Sequence, residues 1–179
     1  MILRLIAPPT QEPVTVEAVK TYLRVDNEEE NETLENLIKA AREVVEQYTL
    51  RAFLRQTWEM ILGRPGRYIY LPRPPIIEIE EVVAGGKPLE PGQYELLAKE
   101  LLVLKAVPGN ELRVRYVAGY GDDPNEVPAA IRQAIMMLVG HMYENREGQP
   151  TEVKYQAQIT GALPTSVYKL VHPYRVMMI

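Results

Sequence analysis

Leu34-Glu-Asn-Leu37-Ile38-Lys-Ala-Ala41-Arg-Glu-Val44-Val45-Glu-Gln-Tyr48-Thr49 is the stretch whose reading decides the fold. Leu34, Leu37, Ile38, Ala41, Val44, Val45 and Tyr48 recur every three or four residues, which predicts one long amphipathic helix over about 29–49. Just before it, Asp26 through Glu35 holds six acids and no base. Carboxylates favour the positive end of a helix, so this run reads as a solvated helix start. It lacks the Asp-x-Asp-x-Asp-Gly order of a calcium loop.

Upstream, Thr15 is a plausible N-cap, Glu17 suits the first turn, and Val16, Val19 and Leu23 share a face. Together they predict a short helix over 15–24. Pro8, Pro9 and Pro13 interrupt the chain before it. Residues 1–13 are therefore expected to form an extended arm outside the core.

Downstream the period changes from helical to alternating. Trp58, Met60 and Leu62 alternate with Thr57, Glu59 and Ile61, and short strands are predicted at Tyr68 to Leu71, Ile76 to Val83, Tyr94 to Leu97, Leu101 to Leu104 and Leu112 to Ala118. Gly85-Gly86 predicts a tight hairpin turn. Short strands in close succession point to an antiparallel β-subdomain over about 55–118, inserted between helices. Helix returns over 128–146, where Ile131, Ala134, Ile135, Leu138, Val139 and Met142 make an apolar face behind Pro128. Residues 147–162 have no sustained period and read as a flexible loop. A last helix is predicted over 164–172, stopped by Pro173. The expected fold is α+β and mainly helical, a small bundle of about four helices carrying the inserted sheet.

Composition narrows the chemistry. The chain has 179 residues, no Cys and two His, so thiolate nucleophiles, thiolate zinc sites and disulfides are excluded and histidine chemistry is nearly missing. Twenty Lys and Arg against 24 Asp and Glu give a net charge of −4, unlike a domain built to grip phosphates. No apolar run has the roughly 18–20 residues needed to span a bilayer, and the N-terminus lacks a signal-peptide pattern. These features predict a soluble protein, intracellular when made.

The candidate chemical groups have simpler readings beside the functional ones. His141 has no second ligand at i+4, and His172 has no nucleophile placed to partner it. Asp122 and Asp123 offer paired carboxylates for a metal-dependent enzyme, although Asp-Asp-Pro-Asn more often forms turns and caps. Gly119 and Gly121 do not make a phosphate loop. Arg64, Arg67 and Arg73, near Tyr68 and Tyr70, are the basis of an alternative reading as a small nucleic-acid-binding module. The tail Tyr174-Arg-Val-Met-Met-Ile179 is strongly apolar for a chain end, and something is expected to cover it.

Several segments taken in order resemble the head-tail connector family of long-tailed bacteriophages, also described as adaptor or head-completion proteins. They are Val14-Thr-Val-Glu-Ala-Val-Lys-Thr-Tyr-Leu-Arg-Val-Asp26 and Leu37-Ile-Lys-Ala-Ala-Arg-Glu-Val-Val-Glu-Gln-Tyr-Thr49, followed by Gln56-Thr-Trp58 and Leu71-Pro-Arg-Pro-Pro75. Then come Val114-Arg-Tyr-Val-Ala-Gly-Tyr-Gly121, Val127-Pro-Ala-Ala-Ile-Arg-Gln-Ala-Ile135 running to Tyr143-Glu-Asn-Arg146, and Pro173-Tyr-Arg-Val176. Leu50 departs from the pattern, which places a helix-ending glycine there.

The resemblance implies a connector domain over 14–173 and a structural virion protein without enzyme activity, cofactor or metal. It implies a ring of about twelve copies on the portal vertex that extends the DNA channel. The implied partners are the portal protein, further copies of the chain, a downstream head-completion (stopper) or tail protein, and genomic DNA passing without sequence-specific binding. The implied location is the neck of the virion, with host cytoplasm during assembly. Tyr174, Arg175, Val176, Met177, Met178 and Ile179 are expected to bind the portal. Val153, Lys154, Tyr155, Gln156, Ala157, Gln158 and Ile159 are expected to form an intersubunit or lumen-facing loop. A channel that lets DNA slide should have an acidic or neutral wall.

Overall fold

The computed structural model describes residues 1–109, 111–145 and 163–177. The chain divides into two compact units, one of Met1–Gln11 with Leu50–Asp122 and one of Glu12–Thr49 with Asp123–Ile179. Helix and strand make up 35% and 29% of the chain, so it is a mixed α+β protein and the expected predominance of helix is not found.

Among the described residues the first unit holds eight strands: β1 Ile2–Ala7, β2 Gln56–Leu62, β3 Tyr68–Tyr70, β4 Ile76–Ala84, β5 Lys87–Pro88, β6 Tyr94–Leu97, β7 Leu101–Leu104 and β8 Leu112–Ala118. They form a five-stranded sheet in the order β1-β2-β8-β4-β5 and a three-stranded sheet in the order β3-β7-β6. All named pairings are antiparallel. Met60, Ile76, Val82, Val114, Tyr116 and Ala118 of the larger sheet meet Ile69, Leu102 and Leu104 of the smaller one in a single apolar cluster. Burying each large apolar side chain contributes about 1.5–3 kcal/mol. The Tyr116 hydroxyl reaches the Pro72 carbonyl at 2.8 Å, and burial pushes its pKa well above the ordinary tyrosine range.

The N-terminal arm requires a correction. Residues Ile2–Ala7 pair with β2 from Ile2↔Ile61 to Ala7↔Thr57, making β1 an edge strand of the larger sheet. The prolines at 8 and 9 follow this strand, where no further ladder hydrogen bond is needed, and therefore end it without preventing it.

Strand β4 shows why alternation alone misleads here. Its sequence, Ile76-Ile-Glu-Ile-Glu-Glu-Val-Val83, is not strictly alternating, and pairing to β8 is irregular between Ile76 and Glu78 and again between Ile79 and Glu81. The two bulges re-aim the strand. Ile76, Ile79 and Val82 lie opposite Ala118, Tyr116 and Val114 of the core, while Glu78 and Glu81 share the other register. Gly85 and Gly86, at φ 56° and 80°, make the two-residue turn between β4 and β5.

The second unit has, among the described residues, α1 Val16–Leu23, α2 Asn31–Thr49, α3 Ala129–Glu144 and α4 Thr165–Val171, with 3-10 turns at Pro124–Glu126 and His172–Tyr174. Thr15 Oγ1 caps α1 by accepting from the Ala18 N–H at 3.2 Å. Leu34, Ile38, Ala41 and Val45 are buried on α2, and Ile131, Ala134, Ile135, Leu138 and Val139 on α3. Helix α2 packs on α3, α3 on α4, and α1 touches both α2 and α3. Pro128 is the N-cap of α3, one position before the helical site expected for it. Leu50 takes φ 58°, so a leucine adopts the left-handed turn that the related pattern gives to glycine. No helix among the described residues is long and apolar enough to cross a membrane.

Candidate interaction surfaces

The C-terminal segment is held against the end of α2 by an aromatic cluster. Tyr48, in the last turn of α2, places its hydroxyl 2.8 Å from His172 Nδ1 and its ring 5.7 Å, edge-on, from Tyr168 of α4. Tyr168 stacks on His172 at 4.9 Å. The Arg175 guanidinium lies 5.1 Å from the centre of the Tyr48 ring, and the Val176 N–H donates to the Thr49 carbonyl at 2.9 Å. That carbonyl belongs to the last turn of α2, where helices leave acceptors unpaired. Burial raises the pKa of Tyr48 above the ordinary tyrosine value; Tyr168 adds to the rise and Arg175 opposes it.

This geometry refines the expected portal-binding tail. Pro173 continues the chain into a 3-10 turn that includes Tyr174, because proline fits the early positions of such a turn. Arg175 and Val176 are engaged within the chain, and Met177 is 83% exposed. Met178 and Ile179 lie outside the described residues, as does the whole loop from Val153 to Ile159.

The outer face of the smaller sheet is a second surface, whose tyrosines the sequence reading named only as neighbours of Arg64, Arg67 and Arg73. Tyr68 and Tyr70 are 64% and 62% exposed, while Ile69 between them is buried. Across β7 and β6, Tyr70 aligns with Leu101 and then with Leu97, which is also exposed. The available signal was the pattern Tyr-Ile-Tyr itself, since alternation places both phenols on the face opposite a buried isoleucine.

The arginines expected near these tyrosines have different aromatic neighbours. Arg67 lies 5.8 Å from the centre of the Tyr68 ring, Arg73 lies 5.5 Å from that of Trp58, and Arg64 is exposed. Asp122 and Asp123 do not share one task. Asp122 pairs with Arg55 at 3.0 Å, whereas the Asp123 carboxylate accepts from the Asn125 N–H at 2.8 Å and the Asp123 N–H donates to the Glu126 carboxylate. The latter is a capping box for the turn Pro124–Glu126. His141 lies beside Asn145, whose side chain donates to the His141 carbonyl at 2.8 Å. Among the described residues, no three His, Asp or Glu side chains gather as a metal-ligand set.

One buried charge cluster was also missed. Arg42 and Glu46 of α2 have side chains only 5% and 8% exposed and pair at 2.9 Å, and Arg42 reaches Glu12 at 2.7 Å. Burial disfavours the Arg42 charge, but the carboxylates of Glu46 and Glu12 outweigh that cost, so its pKa is raised.

Over residues 12–177 the chain matches the family model described as head completion protein. The chain belongs to the head completion protein family. The chain is also similar in structure to a chain of the neck of an empty gene transfer agent particle computed with C6 symmetry, at 20% identity and a TM-score of 0.78. A chain of the virion of the native gene transfer agent particle gives the same values, and in both cases the match covers 100% of this chain and 97% of the other. A chain of the neck of the native particle computed with C12 symmetry matches at 19% identity and a TM-score of 0.73, with the same coverage. At these identities the likeness establishes a shared fold. No curated protein matches this head completion protein.

Proposed function

We propose that the protein is a non-enzymatic connector of the virion neck that assembles as a ring of about twelve copies on the portal vertex. The ring extends the DNA channel and presents a surface to the next head-completion or tail protein. The observation that carries this reading is membership of the head completion family over nearly the whole chain. Full-length similarity to chains of phage-like necks and virions, one neck computed with C12 symmetry, supports the location and the ring.

The surfaces suit such a part. Exposed Tyr68, Tyr70 and Leu97 offer aromatic and apolar contact area, which protein interfaces favour. The candidate carboxylates are occupied by an ion pair and a cap. The tail from Tyr174 to Ile179 binds the portal, and the Val153 to Ile159 loop lies between subunits or towards the lumen. Deleting residues 174–179 is expected to abolish binding to purified portal rings in a sedimentation or interferometry assay. Undiminished binding would remove the tail from the account.

A further inference from the structure

The geometry points to Tyr48 as a positioning residue that fixes the direction in which the C-terminal tail leaves the protein. This inference rests on the reading of that tail as the portal-binding segment. Three separate elements converge on the one phenol ring: Tyr168 from α4, His172 from the 3-10 turn, and Arg175 from the tail itself. The neighbouring residue Thr49 supplies the carbonyl that accepts the Val176 N–H, and Leu50, at φ 58°, ends the helix there.

The consequence is a division of labour within the tail. Tyr174 to Val176 are the stem of the clasp, and Met177, the next residue, is 83% exposed. An unclasped tail samples many directions, and ordering it on a partner costs conformational entropy. A clasped tail has met that cost during folding. A cation-π contact over the ring and a hydrogen bond at its hydroxyl are each worth about threefold in an equilibrium constant, so their joint loss predicts roughly a tenfold weaker portal complex.

The test compares Tyr48→Ala, Tyr48→Phe and Arg175→Met in the full chain, using purified portal rings for affinity and amide hydrogen exchange at Val176 for the clasp. Tyr48→Ala is expected to speed exchange at Val176 and to weaken portal binding, each by about tenfold, with amides in the middle of α2 unchanged. Tyr48→Phe keeps the ring under Arg175 and beside Tyr168 but loses the hydroxyl that bonds His172, and should fall by about threefold, between the parent and Tyr48→Ala. Arg175→Met, which leaves α2 untouched, should show a smaller loss in both readouts; it decides the matter if Tyr48→Ala fails to fold.

Fast exchange at Val176 with unchanged affinity, while deletion of 174–179 still abolishes binding, overturns the clasp alone. Val176 exchange unchanged in Tyr48→Ala also overturns it. Unchanged affinity in the deletion itself overturns the tail reading instead.

Discussion

Replacing Gly119 with alanine is expected to destabilise the strand unit by about 3 kcal/mol or more, or to prevent recovery of folded protein. Gly119 follows directly on β8 with φ 138°, a conformation that residues with a Cβ rarely adopt. A Cβ built there would lie 2.5 Å from both the carbonyl carbon and the oxygen of Leu54 and 2.8 Å from the Arg55 nitrogen. These are backbone atoms, so no rotamer change relieves the overlap. The segment is also pinned on both sides. The Gly119 N–H donates to Pro75 O, Tyr120 N–H to Phe53 O and Arg55 N–H to Gly121 O, each at 2.9 Å. At Gly63 an added Cβ meets nothing within 4 Å, so Gly63→Ala should stay within about 0.5 kcal/mol of the parent. Urea unfolding of the two variants checks the contrast, and equal stabilities would mean that the backbone crossing at Gly119 is not as close as described.

Arg42→Met is expected to cost about 3–5 kcal/mol, the loss that follows when one partner of a buried ion pair is removed. Methionine retains roughly the reach of the aliphatic stem of arginine. What it removes is the positive charge facing Glu46 and Glu12. The double variant Arg42→Met with Glu46→Met should recover a large part of the loss, because a buried pair replaced by apolar groups of similar volume is often neutral or better. The pKa of Arg42 is raised above its usual value, so its contribution is fully present below the ordinary arginine pKa and is lost only as pH rises through the higher folded value. The arginine side of the pair therefore does not titrate in ordinary buffers. A single-variant loss under about 1 kcal/mol in urea unfolding would show that solvent reaches the cluster.

How much of this was legible in the sequence depended on whether one face dominated an element. The stripe from Leu34 to Tyr48 announced α2 because its apolar residues lie on one side of a long helix. Arg42 and Glu46 sit on the border of that stripe, and their residue types pointed to the surface. Their i,i+4 spacing gave a signal for a pair, but none for its burial or for Glu12, thirty positions upstream. Strand β4 had the right composition and the wrong period, because two bulges shift the faces along it. Strand β1 was hidden because edge strands carry little alternation, and Ile2, Leu5 and Ile6 remain exposed.

The candidate sites were legible as positions and less so as geometry. The apolar tail was visible from composition, whereas its attachment to Tyr48 joins residues more than 120 positions apart. The Asp-Asp pair read more readily as turn and cap than as catalyst, and Asp123 closes a capping box. The motif ending in Ala118-Gly119-Tyr-Gly121 carried part of the family resemblance, and the contact with Leu54 gives a physical reason for its first glycine.

Imaging purified portal rings saturated with this protein, or weighing the complex by native mass spectrometry, tests the central claim most directly. The account predicts a closed ring of about twelve copies of the chain coaxial with the portal channel. A single bound copy per portal, or no stable complex at saturating concentration, would contradict it.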